Sequence, residues 1–293
     1  NLLVDADVLV QNFRPGVAER LGIGESSARQ FNASLIYCSI SAYGGEGPIG
    51  GRPAYDHIVQ AMSGIMNTTG TEEMGPVKVG APYVDYGTGL NAAFAITSAL
   101  LERNRTGEGQ SVDVAMLDTA MILMANNLAM TATTGREPPK LGNEAASGSP
   151  SSGTFDTAEG QLAIAANTER QFKDLCRALN HEEWIEDPRW ASPNKRQKNI
   201  ASFRERLNES FLKDTAIHWE MILVDVGVPA SRVRTIGEVL EEGQPASRGL
   251  LREIKVANTA VKIPGIGFKL NGHSLVPQRA PKTVGADNKK WIG

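Results

Sequence analysis

Residues 8–40 decide the fold, and they read VLVQNFRPGVAERLGIGESSARQFNASLIYCSI. Residues 8–10 and 35–40 are short apolar runs of the kind that form buried strands. Residues 14–16, Arg-Pro-Gly, form a turn that leads into a helix-like connection between the two runs. Because two apolar strands joined by a helix are the pattern of a parallel sheet, the sequence predicts an α/β fold.

The stretch from residue 87 to residue 130 continues this α/β pattern. Residues 87–103 are rich in Ala and Leu and predict a helix, and residues 112–114 predict a further strand. Residues 116–130 predict a helix that is apolar nearly all round. Such a helix is expected either to be deeply buried or to lie in a subunit interface.

The character of the sequence changes after Gly135. Residues 135–153 are rich in Gly, Ser, Pro and Ala and predict a long loop. Residues 155–166 predict a β-hairpin, helices are expected around 169–180 and 198–212, and strands return later. The predicted domains are a large α/β domain, an inserted small α+β domain and a return to the large domain, at residues 1–145, 150–225 and 226–293.

Composition limits the classes of partner. The chain has 293 residues, a net charge of −3 and a pI of about 5.9, which does not favour nucleic acid or an anionic membrane as a partner. No run of about 18 apolar residues predicts a transmembrane helix. Cys38 and Cys176 do not form a CxxC motif, and so few thiols favour a cytoplasmic location. The start at Asn1 suggests a truncated amino-terminal segment.

The sequence does not favour a dinucleotide site, a serine-hydrolase site or a metal site. Residues 45–50 match GxGxxG, but Pro48 removes an amide donor and no helix-like sequence follows, so a dinucleotide site is not favoured. The chain has no GxSxG motif, and its four histidines are scattered. No His or Cys pair has the spacing of metal ligands, so no metal site is predicted.

Asp85 is the candidate catalytic residue. It lies in residues 84–89, VDYGTG, immediately before the predicted helix. One interpretation is a helix N-cap, because Asp accepts hydrogen bonds from free amides. The other is a nucleophile, because a carboxylate at a helix amino end stays ionised, and the amides of Gly87 and Gly89 are candidates to stabilise an oxyanion. The two roles are compatible.

Arg14 and Arg20 are the candidate phosphate-binding residues. Arg14 lies in the turn between a strand and a helix, where amides and a guanidinium can hold a phosphate. The alternative is that both are solvated surface arginines.

Ten segments in this order and spacing resemble the class III CoA-transferases of the CaiB/BaiF type, such as formyl-CoA and carnitine CoA-transferases. The resemblance covers nearly the whole chain. The segments are 12–16 (NFRPG), 20–22, 35–37, 41–44, 52–56 (RPAYD), 60–64 (QAMSG), 107–110, 116–118, 228–233 and 263–265.

The resemblance implies a reaction and a set of site residues. CoA would move from an acyl-CoA to a carboxylic acid through an aspartyl-CoA thioester, with the CoA thioester as substrate and no tightly bound cofactor. Asp85 matches the catalytic aspartate of the family. The positions that match CoA contacts are Asn12, Phe13, Arg14, Arg20, Tyr55 and Met116.

The resemblance also implies an architecture. The large domain would be Rossmann-like, the small domain would be inserted into it, and two chains would form an interlocked homodimer in acyl-CoA metabolism. Two departures affect this expectation. The first segment of the family is missing here, and the stretch expected to form a glycine-rich flap, residues 143–153, reads NEAASGSPSSG.

Two other functions stay open. The same family contains α-methylacyl-CoA racemases, which carry a histidine where this chain has Tyr55. A racemase needs a second base, and His57 lies two residues away, so Tyr55 favours transfer. The other alternative is a CoA-binding protein without catalysis.

Overall fold

The computed structural model describes residues 2–256 and 259–291. Contacts divide the chain into two compact units, Asn1–Asn143 and Glu144–Gly293. The three-part division predicted from the sequence, with its boundaries at 145, 150 and 225, stays a prediction.

A parallel sheet forms the centre of the first unit, as the sequence predicts. Its strands are β1 (Val8–Gln11), β2 (Ile36–Ser41) and β3 (Ser111–Ala115), with β2 in the middle. The central strand is the most buried of the three, with Ile36, Tyr37 and Cys38 all buried. Since all three strands run in the same direction, their carboxyl ends meet at one edge of the sheet.

Helices connect the strands and follow the last of them. Two short helices lie between β1 and β2, three lie between β2 and β3, and two follow β3. They are α1 (Val17–Arg20), α2 (Glu25–Phe31), α3 (Asp56–Ser63), α4 (Ile65–Thr68), α5 (Tyr83–Thr106), α6 (Met116–Leu123) and α7 (Ala125–Thr134).

The helix α5 is longer than the sequence predicts. It begins at Tyr83 rather than at residue 87 and ends at Gly107, whose φ of 79° is the left-handed conformation that glycine adopts easily. Ala92 and Ala99 are buried on the side of α5 that contacts the sheet. Small side chains there allow a close approach of helix and strands, which fixes the position of the first turn of α5.

The apolar stretch 116–130 forms two helices, and the predicted deep burial is wrong for most of it. The backbone breaks at Met124, between α6 and α7. Within this chain α6 buries Met116, Thr119 and Ala120, whereas α7 has no buried residue. The alternative, a subunit interface, stays a prediction.

An antiparallel sheet lies in the second unit. Its strands are β4 (Ser152–Asp156), β5 (Gln161–Ala165) and β6 (Ala230–Arg232), in that order. The pairing of β4 with β5 confirms the predicted hairpin. β6 pairs with β5, so at least residues 230–232 lie with the sheet of the second unit.

Helices pack against this sheet around a core rich in aromatic side chains. Phe155, Phe172, Trp190 and Phe203 are buried there. The remaining elements are α8 (Glu169–Ala178), a 3-10 helix (Glu182–Ile185), α9 (Pro193–Lys198), α10 (Ile200–Phe211), α11 (Ala216–Asp225), α12 (Ile236–Glu241), α13 (Gln244–Ser247), β7 (Leu251–Val256), β8 (Thr259–Pro264), β9 (Lys269–Leu270), β10 (His273–Ser274) and α14 (Asn288–Trp291). Over residues 2–256 and 259–291, none of the helices has the length and apolar character needed to cross a membrane.

Substitution of Gly109, just before β3, tests the packing of the parallel sheet. A Cβ atom at Gly109 would lie 2.7 Å from the carbonyl oxygen of Ala33 and would also clash with that of Leu35. We therefore expect Gly109→Ala to lower the free energy of unfolding by about 1–3 kcal/mol, as overpacking does. Gly80→Ala is the control, because a Cβ atom there meets nothing within 4 Å. Equal urea midpoints for the two variants would contradict the close approach.

Candidate active site

A cleft opens at the carboxyl ends of the three parallel strands. Its volume is about 500 Å³, and its walls come from the ends of the strands, the loop before α3 and the first turns of α5. Open α/β sheets bind ligands at this edge. The lining residues are Asn12, Phe13, Arg14, Pro15, Ile40, Ser41, Ala42, Arg52, Pro53, Ala54, Tyr55, Asp85, Thr88, Gly89 and Met116.

The segment after β1 is fixed by polar contacts. The side-chain amide of Asn12 donates to the carbonyl oxygen of Ile40 over 2.7 Å. The amide of Phe13 donates to Oε1 of Gln11 over 2.8 Å, and the side chain of Gln11 donates to the hydroxyl of Ser39. These bonds hold residues 12–14 against the end of β2, where they line the cleft.

Asp85 lies in the first turn of α5, and the prediction that it is the N-cap is wrong. The cap position is occupied by Pro82, whose side chain cannot accept a hydrogen bond. The carboxylate of Asp85 lines the cleft and has no hydrogen-bond partner in the described part of the chain. It is therefore free to meet a ligand.

Asp56 on α3 supplies the cap that α5 lacks. Its Oδ2 accepts hydrogen bonds from the amide of Val84 at 2.8 Å and from the amide of Asp85 at 3.1 Å. The amide of Tyr83 donates to the carbonyl oxygen of Ala81. All the free amides of the first turn are thus satisfied, which fixes the backbone of Asp85.

Gln60 holds Asp56 in place from the next turn of α3. Its Nε2 donates to Oδ1 of Asp56 over 2.5 Å, and its Oε1 accepts from the amide of Val79 over 2.8 Å. Gln60 is fully buried and Asp56 is 8% exposed. A connected set of hydrogen bonds therefore runs from the loop before α5, through α3, to the backbone of Asp85.

Two carboxylates consequently lie close together at the amino end of α5. The pKa of Asp85 is raised, first by partial desolvation of its carboxyl group and second by the negative charge of Asp56. The pKa of Tyr83 is raised for the same two reasons, burial first. The site thus disfavours the ionised form of Asp85 compared with a carboxylate in water.

The predicted oxyanion hole at Gly87 and Gly89 is wrong. Both residues lie inside α5, where an amide donates to the carbonyl oxygen four residues earlier and is not free. Their lack of a side chain serves other purposes. A Cβ atom at Gly87 would lie 2.8 Å from Cδ1 of Leu123 on α6, and Gly89 leaves the wall of the cleft open.

Arginines give the cleft a positive charge. Arg14 and Arg52 line it, and neither guanidinium has an ion pair or hydrogen bond within residues 2–256 and 259–291. Arg20 does not line the cleft; it lies beside Gly16 at the carboxyl end of α1. The role of Arg20 in binding stays a prediction.

The structure brings Tyr55 and Met116 to the cleft with Asp85. Tyr55 precedes α3 and is 78% exposed, so its phenol is accessible to a ligand. Met116, at the start of α6, is buried and lines the cleft. His57 does not line the cleft, as expected from its distance of two residues from Tyr55.

No role for Asp56, Gln60 or Arg52 is predicted from the sequence. One local feature shows that α5 needs an acceptor from another element. Pro82, before α5, has no side-chain acceptor for the first amides of the helix. The distance along the chain between α3 and α5 hides which residue supplies the acceptor.

Neither the glycine-rich loop nor any group of metal-ligating side chains forms a second site in the described part of the chain. Residues 47–51 form turns, and no helix opens at Gly50, so a dinucleotide fingerprint is absent there. The described residues contain no group of three or more His, Cys, Asp or Glu side chains placed to hold a metal ion.

This arrangement is that of an α/β protein that binds its ligand at the carboxyl ends of parallel strands. The model of CoA-transferase family III matches residues 1–288. The chain belongs to CoA-transferase family III.

Curated relatives are similar along nearly the whole chain. The acetyl-CoA:oxalate CoA-transferase of Acetobacter aceti is 35% identical, over 94% of this chain and 71% of the relative. The succinate–glutarate CoA-transferase of Agrobacterium fabrum is 34% identical, over 90% of this chain and 66% of the relative. The chain thus spans about two thirds of the length of these two enzymes.

Solved structures show the same fold. The crystal structure of Rv3272 from Mycobacterium tuberculosis matches with a TM-score of 0.88 and 31% identity, over 98% of this chain and 77% of that one. A CaiB/BaiF family protein from Brucella suis matches with a TM-score of 0.83 and 31% identity, over 96% and 73% of the two chains. The predicted family and the mixed α/β fold are confirmed.

Substitution of two glycines of α5, Gly87 and Gly89, tests the geometry of the cleft wall. Gly89→Ala is expected to raise the free energy of unfolding by about 0.5–1 kcal/mol, because glycine inside a helix is costly and a Cβ atom there meets nothing within 4 Å. Gly87→Ala is the matched variant and should gain less, because its Cβ atom presses on Leu123. Equal gains in urea denaturation would contradict the contact between α5 and α6.

Proposed function

We propose that this protein transfers CoA from an acyl-CoA donor to a carboxylic acid, with Asp85 as the nucleophile. The observation that carries the proposal is the unpartnered carboxylate of Asp85 in the cleft of a family III chain. A carboxylate can form and break acyl bonds, as covalent catalysis requires.

The binding of CoA is assigned to the two walls of the cleft. Arg14 would pair with the phosphates of CoA, and Asn12 and Phe13 place the adjoining wall. Tyr55 and Met116 would flank the thioester near Asp85. Arg20 completes the proposed set as a contact to the nucleotide. CoA is a substrate in this scheme, and no tightly bound cofactor is required.

The first half-reaction forms the covalent intermediate. An oxygen of the Asp85 carboxylate attacks the carbonyl carbon of the donor thioester, the carbon–sulfur bond breaks, and CoA leaves as the thiolate. The product is a mixed anhydride between Asp85 and the acyl group. The thiolate then attacks the Asp85 carbonyl carbon, which releases the donor acid as its carboxylate and gives an aspartyl-CoA thioester.

The second half-reaction repeats these steps in reverse. The carboxylate of the acceptor acid attacks the aspartyl-CoA carbonyl carbon and expels the thiolate, which forms a second anhydride. The thiolate attacks the carbonyl carbon of the acceptor, and Asp85 departs as a carboxylate. No proton, metal ion or nucleotide is consumed, since every step exchanges one carboxylate for one thiolate.

The class of acid is proposed from the relatives. The names of similar enzymes specify oxalate, glutarate and mesaconate as acids that exchange CoA. We propose a small carboxylic acid as the acceptor for this chain, working in acyl-CoA metabolism in the cytoplasm.

The proposed assembly is an interlocked homodimer. Large apolar side chains are exposed in the first unit, including Leu90 and Phe94 on α5 and Ile122 on α6. Burial of such side chains against a second chain would be favourable. Light scattering after size-exclusion chromatography distinguishes the dimer from a monomer.

Replacement of the nucleophile tests the proposed reaction. Asp85→Asn keeps the size of the side chain but removes the charged oxygen, so we expect the rate of CoA transfer to fall by about a thousandfold or more. The assay follows new CoA esters by mass spectrometry, with acetyl-CoA or succinyl-CoA as donor and oxalate, glutarate or mesaconate as acceptor. Asp118→Asn is the control, because Asp118 is exposed and does not line the cleft around Asp85.

The same samples test the racemase alternative. A racemase exchanges the α-proton of a branched acyl-CoA with solvent and needs no acceptor acid. Deuterium uptake from heavy water without CoA transfer, in a protein that still requires Asp85, would replace the transferase proposal. A protein that binds CoA but shows neither reaction would be a binding protein without catalysis.

Replacement of a cleft arginine tests the binding of CoA. Arg14→Gln is expected to raise the KM for the acyl-CoA donor about tenfold or more, because a charge-assisted bond to phosphate is lost, with little change in the KM for the acid. Arg20→Gln measures the contribution of the second proposed contact. Arg105→Gln is the control, since Arg105 pairs with Glu102 at the far end of α5. An unchanged donor KM in Arg14→Gln would remove this residue from the site.

A further inference from the structure

Asp56 combines two properties that an ordinary helix cap does not need. It is 8% exposed, and it carries its charge to the amino end of a helix that begins in another part of the sequence. Elsewhere in this chain a neutral threonine at the cap position does the same work, at α8, α11 and α12. A carboxylate in a buried place is more costly than a hydroxyl, which indicates a purpose for the charge.

We propose that Asp56 is a positioning residue for the reaction at Asp85, and that its negative charge favours the acylated, uncharged state of the Asp85 side chain. This inference rests on the proposed function. Its basis is the pair of hydrogen bonds that the Asp56 carboxylate accepts from the backbone amides of Asp85, at 3.1 Å, and of its neighbour Val84, at 2.8 Å.

The repulsion between the two carboxylates changes during the reaction. Before the reaction, Asp85 and Asp56 are two like charges at one helix end, which repel one another. When Asp85 becomes an anhydride or a thioester it loses its charge, whereas Asp56 keeps its own. Three N–H donors, from Val84, Asp85 and Gln60, stabilise that charge on Asp56. Acylation thus relieves a repulsion that the fold maintains.

The other charged and titratable groups around Asp85 are the same in every variant considered below. Arg14 comes from the segment after β1, and Arg52 and Tyr55 come from the loop before α3. Tyr83 lies on α5 itself, and α6 presents the uncharged Met116 to the cleft. Differences between variants therefore report the charge of Asp56.

A pair of substitutions separates this charge from the hydrogen bonds. In Asp56→Asn one oxygen can still cap α5, but the new amide nitrogen faces Nε2 of Gln60, so two donors oppose each other. Adding Gln60→Glu restores an acceptor for that nitrogen and keeps an acceptor for the amide of Val79. The double variant D56N/Q60E thus regains every hydrogen bond and moves the charge away from Asp85.

Three measurements are made on the wild type, D56N and D56N/Q60E. Thermal unfolding reports the hydrogen bonds, and carbon-13 NMR of the Asp85 carboxyl group reports its pKa. The fraction of aspartyl-CoA thioester at equilibrium with an acyl-CoA donor is measured by mass spectrometry of the intact chain. We expect D56N to unfold at a lower temperature and the double variant to recover.

The double variant should nevertheless remain different from the wild type at Asp85. We expect a lower pKa of Asp85 and a smaller ratio of thioester to free carboxylate than in the wild type, because the negative charge no longer lies beside the Asp85 carboxyl group. A double variant with wild-type stability, pKa and thioester fraction would overturn the role of the charge. A double variant no more stable than D56N would overturn the hydrogen-bond assignment.

The same measurements distinguish a failure of the proposed function from a failure of the proposed role of Asp56. If the wild type forms no thioester with any donor, the transferase reaction fails for this chain, while the NMR titration still measures the coupling of Asp56 to Asp85. If the wild type forms the thioester and the pKa of Asp85 is unchanged in both variants, the transferase proposal survives and this inference fails.

Discussion

The carboxylate of Asp56 closes the amino end of α5, and the candidate site depends on that contact. Without it, the amides of Val84 and Asp85 would lack acceptors, because Pro82 has no side chain that could serve them. A buried amide without a partner is costly, so α5 would be expected to begin later along the chain. The same contact fixes the backbone of Asp85 and places a second negative charge beside it.

The parallel sheet determines which segments can join this helix end. Residues that follow β1, β2 and β3 are far apart in the sequence, yet Asn12, Ala42 and Met116 line one cleft because the strands run in the same direction. The long helix α5 packs against β2 and β3 and brings Asp85 to the same edge. A helix packed against a sheet holds the backbone of a carboxylate more precisely than a flexible loop would.

The sequence predicts the strands, the hairpin of the second unit and most of the cleft, because these depend on local apolar patterns and on motifs. It does not predict what depends on contacts between distant residues. The start of α5 is displaced because its acceptor lies on α3, and the apolar stretch 116–130 breaks at Met124. Gly87 and Gly89 lie in the first turn of the helix predicted from the sequence, where amides are free, whereas α5 begins at Tyr83 and uses their amides inside the helix.

In the proposed reaction Asp85 exchanges an oxygen atom with the substrate acids. In the proposed steps the acceptor carboxylate leaves one of its oxygens on Asp85 when its acyl group passes to CoA. The most direct measurement uses an acceptor acid labelled with oxygen-18, followed by digestion and mass spectrometry of the peptide that contains Asp85. We expect a peptide heavier by one oxygen-18 after a single turnover, and only when both donor and acceptor are present. Turnover without label in that peptide would contradict it, because the acids would then exchange CoA without an intermediate on Asp85.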